Sequence, residues 1–186
     1  MDLIYSFDFA ILDALQRIHC TVLNVILAFF TYIGEDGAVW IAAALLMLCF
    51  AKTRKISLPV ILALVMELII NENIIKQLVR RTRPFVMNPD IDTIVHKPSS
   101  YSFPSGHTCT AFAAATAIFM HNKKMGIAAY AVAVLIAFSR NYFYIHFPTD
   151  VICGAILGVA IGFCSVKITK FADSKIRRNK NQTLES

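Results

Sequence analysis

The chain has 186 residues, of which 57% are hydrophobic and only 16% charged, well short of the roughly 25% charged content of a soluble domain. That balance excludes a soluble globular enzyme and predicts an all-α integral membrane protein, a bundle of about five to six transmembrane helices. The net charge of +6 is dispersed over connections on both sides of the apolar segments, which argues against a nucleic-acid footprint and for contact with anionic lipid.

The N-terminal stretch MDLIYSFDFAILD has no basic region ahead of its apolar residues and no small-residue cleavage site, so a cleaved signal peptide is not expected. Residues 8 to 20 read as an interfacial amphipathic helix, because the apolar run that follows is short and is preceded by Asp13, Gln16, Arg17 and His19. Apolar segments then cover residues 21 to 33, 38 to 51, 56 to 75, 108 to 120, 125 to 138 and 151 to 168. One membrane domain is expected over residues 1–172, followed by a basic, frayed tail over residues 173–186.

Cys20, Cys49, Cys109, Cys153 and Cys164 form an odd set without CxxC spacing, lying in or beside these segments. They are expected to be small buried apolar residues and not a disulfide framework or a metal site. Glu67 stands mid-helix with Asn71 one turn on, and here a functional intramembrane acid and a hydrogen-bonded packing contact are both open.

The polar connections alternate in kind. Eleven cations (Lys52, Arg54, Lys55, Lys123, Lys124, Lys167, Lys170, Lys175, Arg177, Arg178 and Lys180) fall on one side. Lys76, Arg80, Arg81, Arg83, Lys97 and Arg140 fall on the other, among acids and histidines. The positive-inside rule makes the first side, with the C-terminus, cytoplasmic and the second extracytoplasmic in a multi-pass plasma-membrane protein.

Three clusters gather on the second side. In KQLVRRTRP, Lys76 and Arg83 are seven residues apart, two turns along one helix face, and Pro84 biases Arg83 toward the helix end. Cations at such a position also snorkel without further role, and Arg80 and Arg81 are read that way. In PSGH, Ser105 and Gly106 open an apolar helix whose free amides suit an anion, with His107 beside them, although a serine N-cap has the same sequence. In SRNYFYIHFPTD, Arg140 can fork onto oxyanions, while Asp150 stands four residues after His146 around Pro148, placed to hold an imidazole N–H. Each cluster has a structural explanation alone. Together they form an inventory for phosphoryl transfer without a metal or other cofactor.

These three stretches, spanning 75 of the 186 residues, resemble the three signature motifs of the type 2 phosphatidic acid phosphatase superfamily, with every signature position filled in order. The resemblance implies a helical bundle and a phosphohistidine mechanism. His146 would be the nucleophile, Asp150 its orienting carboxylate, and His107 the acid that protonates the leaving oxygen. Lys76, Arg83, Ser105, the Gly106 amide and Arg140 would bind the phosphoryl oxygens. A bell-shaped pH dependence, with neutral His146 and protonated His107, is expected.

The expected partner is a membrane lipid phosphate. The short chain is most similar to small bacterial undecaprenyl-diphosphate phosphatases, while phosphatidylglycerophosphate, phosphatidic acid and lipid A phosphatases share the motifs. A lipid phosphotransferase would use the same phosphohistidine, and a transporter or a non-catalytic scaffold are the readings from other classes. The loop of residues 85 to 103, with Asp90, Asp92, His96 and Lys97, either selects the head group or merely connects. The sequence does not address oligomeric state.

Overall fold

The computed structural model describes residues 2–185 and the side chains of all of these but Asp2, Arg177 and residues 180–185. Two of the eleven cations counted above, Arg177 and Lys180, therefore have no described side chain, and Ser186 lies outside the described residues.

In chain order the elements are α1 (Asp2–Gln16), α2 (Thr21–Ile33), a 3-10 turn (Glu35–Gly37), α3 (Ala38–Cys49) and α4 (Arg54–Glu67). A π-helix (Leu68–Ile75) continues α4 and is followed by α5 (Lys76–Val79), α6 (Pro84–Met87), α7 (Gly106–Phe119), α8 (Lys123–Tyr142) and α9 (Pro148–Glu185). Residues 54–87, 123–142 and 148–176 form three stretches long and apolar enough to cross a bilayer. Thr21–Ile33 with Glu35–Cys49, bent by 51°, makes a fourth if it is one span. Outward-facing side chains such as Val22, Phe29, Leu45, Val134 and Ile156 are large and apolar, the surface a hydrocarbon solvent requires.

At the centre stands α7, packed by α4, α8 and α9. Its 14 residues cover roughly 21 Å at 1.5 Å per residue, less than a hydrocarbon core, and most of them are buried in protein, not turned to lipid. Small side chains permit this, since Ala111, Ala113, Ala114, Ala115 and Ala117 are all fully enclosed. Without a hydrophobic drive between helices in lipid, close backbone approach and van der Waals contact do the holding. On α9, Gly154, Gly158 and Gly162 recur every fourth residue, and a Cβ on any of them would run into α7 backbone, at the carbonyls of Ser105, Cys109 and Ala113 respectively. Gly158→Val should therefore destabilise the detergent-solubilised protein by about 1–3 kcal/mol, the range for overpacking. The check is a lowered midpoint in a thermal-shift scan, while the same change at exposed Ile156 should leave the midpoint in place.

Several expectations change. The first helix begins at Asp2 and ends at Gln16, earlier than residues 8 to 20, because Arg17 to Cys20 turn so that His19 can stack on Tyr142 and bond its carbonyl (2.9 Å). The tail expected to fray from residue 173 instead continues α9 to Glu185, as a stretch with no proline or glycine breaker permits. Only Cys109 is buried; Cys20, Cys49 and Cys164 are exposed free thiols and Cys153 is half-buried, which costs little on a surface that faces an apolar solvent. Finally, Lys76 and Arg83 do not share a helix face. Arg80 adopts a left-handed φ of 51° that closes α5, and Arg83 is extended before Pro84 (φ −77°, ψ 151°), as the residue before a proline prefers.

Candidate active site

A cavity of about 500 Å³ opens at one end of the bundle, and Lys76, Arg83, Gly106, His107, Arg140 and His146 line it. The chain reaches it from the start of α5, the C-terminal end of α8 and the N-terminal end of α7, with residues 34–37, His96 and residues 98–100 around the rim. Lys123 and Lys124 start α8, Arg54 and Lys55 start α4, and Lys167 and Lys170 lie far along α9. These basic residues therefore sit at the opposite ends of the helices that carry the cavity. Ser105 and Asp150, both fully buried, support the wall from behind.

His146 lies in a tight connection, four residues past the end of α8 at Tyr142, in which Tyr144 takes a left-handed φ of 60°. Nearby backbone bonds hold it: Ile145 and His146 amides both donate to the Arg140 carbonyl (3.0 and 3.3 Å), and Asn141 Nδ2 donates to the His146 carbonyl (2.9 Å). Arg83 Nη1 is 3.0 Å from His146 Nε2. An arginine can only donate, so Nε2 accepts, and the proton of the neutral imidazole sits on Nδ1. That nitrogen faces Ser102 Oγ at 3.5 Å and Asp150 Oδ2 at 3.7 Å. Ser102 Oγ in turn donates to Asp150 Oδ2 at 2.5 Å. The carboxylate is in ion-pair reach of the ring, beyond direct hydrogen-bond range, and the serine hydroxyl bridges them.

The cations are fixed in different ways. Arg83 is clasped by the 98–102 loop, with Nε on the Ser100 carbonyl (2.6 Å) and Nη2 on Ser100 Oγ (3.0 Å) and the Tyr101 carbonyl (3.2 Å). Arg140 donates Nη1 to Thr31 on α2 (2.7 Å), while its buried Nε has no hydrogen-bond partner among the described residues. Lys76 Nζ pairs with Glu72 at 2.5 Å, and Glu72 also lies where a Cβ on Gly106 would be. A carboxylate thus rests between an ammonium and the first residue of α7, a place suited to an anion. Ser105 occupies the N-cap position, yet its side chain makes no capping bond; it accepts from Thr108 Oγ1 at 3.0 Å instead. Among the described residues no three His, Cys, Asp or Glu side chains converge as metal ligands, whereas three cations and the first residue of α7 line one cavity, a donor set whose chemistry suits an oxyanion.

The sequence profile of the PAP2 superfamily matches residues 56–173. The chain belongs to the PAP2 superfamily. It is 36% identical over 148 residues to an undecaprenyl-diphosphatase of Sulfolobus acidocaldarius, covering 78% of this chain and 70% of the relative. To undecaprenyl-diphosphatase BcrC of Bacillus subtilis it is 30% identical, covering 78% and 74%. Its fold matches the crystal structure of a transmembrane PAP2 type phosphatidylglycerolphosphate phosphatase from Bacillus subtilis with a TM-score of 0.74 at 30% identity, over 95% of this chain and 89% of that one. The protein is a membrane phosphatase of this family.

Within the PAP2 site, the cations set the state of both histidines. Burial, then Arg83, Arg140 and Lys76, hold His146 well below the usual imidazole value near 6.5, so its Nε2 is unprotonated at neutral pH and accepts from Arg83. His107 lines the cavity together with the same cations, and a phosphate bearing negative charge among them favours its protonated ring. Activity should consequently fall as the pH drops through the depressed value of His146. The alkaline limb should stand at higher pH in kcat, which reports the substrate complex, than in kcat/KM, which reports the free enzyme. Steady-state rates from about pH 4 to pH 9 test this, and a flat profile removes the two assigned histidine roles.

The sequence reading missed four residues of this neighbourhood. Ser102 carries no motif signal, although it stands three residues before Ser105. Thr31, fully 109 residues from its partner Arg140, is invisible to any local pattern. Arg81, taken for a snorkelling cation, is instead drawn inward by Asp150 and Asp8 (2.5 and 2.7 Å). Asp8 is completely buried in protein. Of the polar loop residues, His96 lines the cavity while Asp90, Asp92 and Lys97 do not. Glu67 also lines it, holding a hydrogen bond from Asn71 Nδ2 at 2.8 Å.

Proposed function

We propose that this protein removes the terminal phosphate of undecaprenyl diphosphate at the extracytoplasmic face of the plasma membrane, through a phosphohistidine intermediate. The observation that carries the mechanism is the unprotonated Nε2 of His146, aimed with Arg83 into a cavity ringed by Lys76, Arg140 and the first amides of α7. Nε2 attacks phosphorus while the bond to the oxygen of the remaining lipid phosphate breaks, and His107 gives that oxygen its proton. Water then attacks the phosphohistidine as His107 takes up a proton, and inorganic phosphate leaves. Asp150, through Ser102, keeps the His146 proton on Nδ1 and stabilises the charge that develops on the ring. Arg83, Arg140, Lys76 and the Gly106 amide bind the nonbridging oxygens, the dominant catalytic need of a phosphoryl transfer, while Ser105, buried behind the wall, holds the start of α7 in place.

A lipid keeps its tail beside the apolar helices while the phosphate enters from the interface, and positive charge concentrated at the opposite bundle ends supports an outward-facing site. The wider architecture is read as five to six crossings, with the short buried α7 among them and α1 at the interface. The undecaprenyl-diphosphatase relatives favour the isoprenyl diphosphate substrate. The match to a phosphatidylglycerolphosphate phosphatase over nearly the whole chain favours the second candidate, phosphatidylglycerophosphate.

The deciding assay uses purified protein in detergent with undecaprenyl diphosphate, phosphatidylglycerophosphate and phosphatidic acid, each with and without chelator, following free phosphate. Undecaprenyl diphosphate should have the highest kcat/KM, and chelator should leave the rates unchanged. A preference for phosphatidylglycerophosphate exchanges the substrate assignment. Phosphate recovered on a second lipid and not in solution makes the protein a phosphotransferase.

A further inference from the structure

Behind the catalytic histidine, away from the cavity, lies a polar cluster that the three motifs do not contain. Arg81 Nη1 donates to Asp150 Oδ1 (2.5 Å) and Thr149 Oγ1 (2.7 Å), and Nη2 donates to Asp8 Oδ2 (2.7 Å). Asp8 also accepts from the Thr149 amide at Oδ1 (3.0 Å) and from Thr149 Oγ1 at Oδ2 (2.6 Å). The guanidinium is sandwiched by rings, 4.1 Å from the centre of Phe147 and 4.8 Å from that of Tyr5. Asp8 and Asp150 are wholly buried, and the Arg81 side chain is 11% exposed. None of Asp8, Arg81 and Thr149 lines the cavity. The first helix, the connection after α5 and the start of α9 are thus tied through one guanidinium, across a sequence separation of 141 residues.

Burying two carboxylates is expensive, and a single arginine shared between them offsets the cost only when geometry is good and every remaining lone pair is used. Here the two oxygens of Asp150 have separate duties. Oδ1 faces Arg81, whereas Oδ2 accepts from Ser102 Oγ and the Phe147 amide (3.0 Å) and looks toward His146 Nδ1. Whatever fixes Oδ1 therefore sets how Oδ2 meets the imidazole. It also sets how much of the carboxylate's charge His146 feels.

We propose that Asp8 and Arg81 are positioning residues of the phosphatase reaction, with α1 acting as a latch that holds Asp150 in the orientation and charge balance His146 requires. The proposal rests on the phosphohistidine reading above. Arg81 shields the ring from the carboxylate, so that His146 stays a neutral nucleophile; Asp8 fixes the guanidinium so that it can do so. Other charges act on the same pair: Arg83 and Lys76 from the α5 side, Arg140 from α8 and His107 from α7 all face His146. Cys153, one turn further along α9, is the other titratable group close to Asp150.

The test is a comparison of wild type, Arg81→Gln, Arg81→Lys, Asp8→Asn and His146→Ala as full-length protein in detergent. Each is checked for folding by size exclusion and thermal midpoint, then assayed for kcat and KM across pH with the best substrate of the panel. Arg81→Gln should lower kcat about 10- to 100-fold with KM nearly unchanged, the scale of losing an outer partner of a reactive imidazole. The acidic limb of its kcat/KM profile should also move to higher pH, because the unshielded carboxylate strengthens the ring as a base. Arg81→Lys keeps the charge and should return the limb to its wild-type place with part of kcat. Asp8→Asn leaves Arg81 to Asp150 alone, so it should lower kcat without moving the limb upward. The proposal is overturned if folded Arg81→Gln keeps wild-type kcat and limb, or if Arg81→Lys and Asp8→Asn lose stability together while their kcat and pH profiles match wild type. Should Arg81→Gln not fold, the Lys and Asn variants decide on the same criteria. Activity surviving in His146→Ala would overturn the phosphohistidine reading itself, a result separate from either of these.

Discussion

His146→Ala should abolish turnover of every lipid phosphate, by at least about four orders of magnitude, because catalysis that passes through a covalent intermediate has no alternative route once the nucleophile is gone. The geometry makes this a clean experiment. The backbone around residue 146 is held by its own carbonyl and amide, through Asn141 and the Arg140 carbonyl, so truncation at Cβ leaves the connection intact. Arg83 loses one of five partners and keeps the four supplied by residues 100, 101 and 145. Folding, followed by thermal midpoint, should change little while turnover disappears. A second measurement on the wild type, an alkaline quench after mixing with labelled substrate, should trap phosphate on the chain, and His146→Ala should trap none. A variant that still turns over, or label retained without residue 146, would displace the nucleophile to another group.

The residues to which the chemistry is assigned were legible in sequence as a group because phosphate recognition concentrates its donors into short segments. Lys76, Arg83, Gly106, His107, Arg140 and His146 line one cavity, and local rules anticipated parts of their setting, such as the extended Arg83 before Pro84. The residues that hold those groups were not legible, and the reason is physical. Ser102, Thr31, Asp8 and Arg81 act through hydrogen bonds to partners 44 to 141 residues away, and no periodicity encodes such a pairing. Arg81 was misread because a cation near a helix end has the same sequence whether it snorkels to water or turns inward to two buried carboxylates. The axial packing was similarly hidden. Gly154, Gly158 and Gly162 look like ordinary residues of an apolar run until α7 is laid against them. The cysteines show the opposite error: their apolar character was read as burial, although in a membrane protein the apolar side chain often faces out.

Arg83 carries the second large effect. Its guanidinium donates to the Ser100 carbonyl and hydroxyl, the Tyr101 and Ile145 carbonyls and His146 Nε2, so one planar group joins the rim loop to His146 at the cavity wall. Arg83→Ala should lower kcat/KM about 10³-fold, as expected when a transition-state arginine is removed from phosphoryl transfer. It should also lower the thermal midpoint, since buried loop carbonyls left without donors cost roughly 1–3 kcal/mol each. The informative variant is Arg83→Lys. An ammonium restores the charge but cannot span the loop, the nucleophile and an incoming oxyanion from one plane, so most of the activity should stay lost even though the cation is present. The pH profile separates the two contributions. Arg83 is the foremost charge holding His146 neutral, so Arg83→Ala should move the acidic limb to higher pH, and Arg83→Lys should leave it near the wild-type position. Recovery of more than about a third of kcat/KM by lysine would mean that charge alone suffices at this position and that the planar fork is incidental.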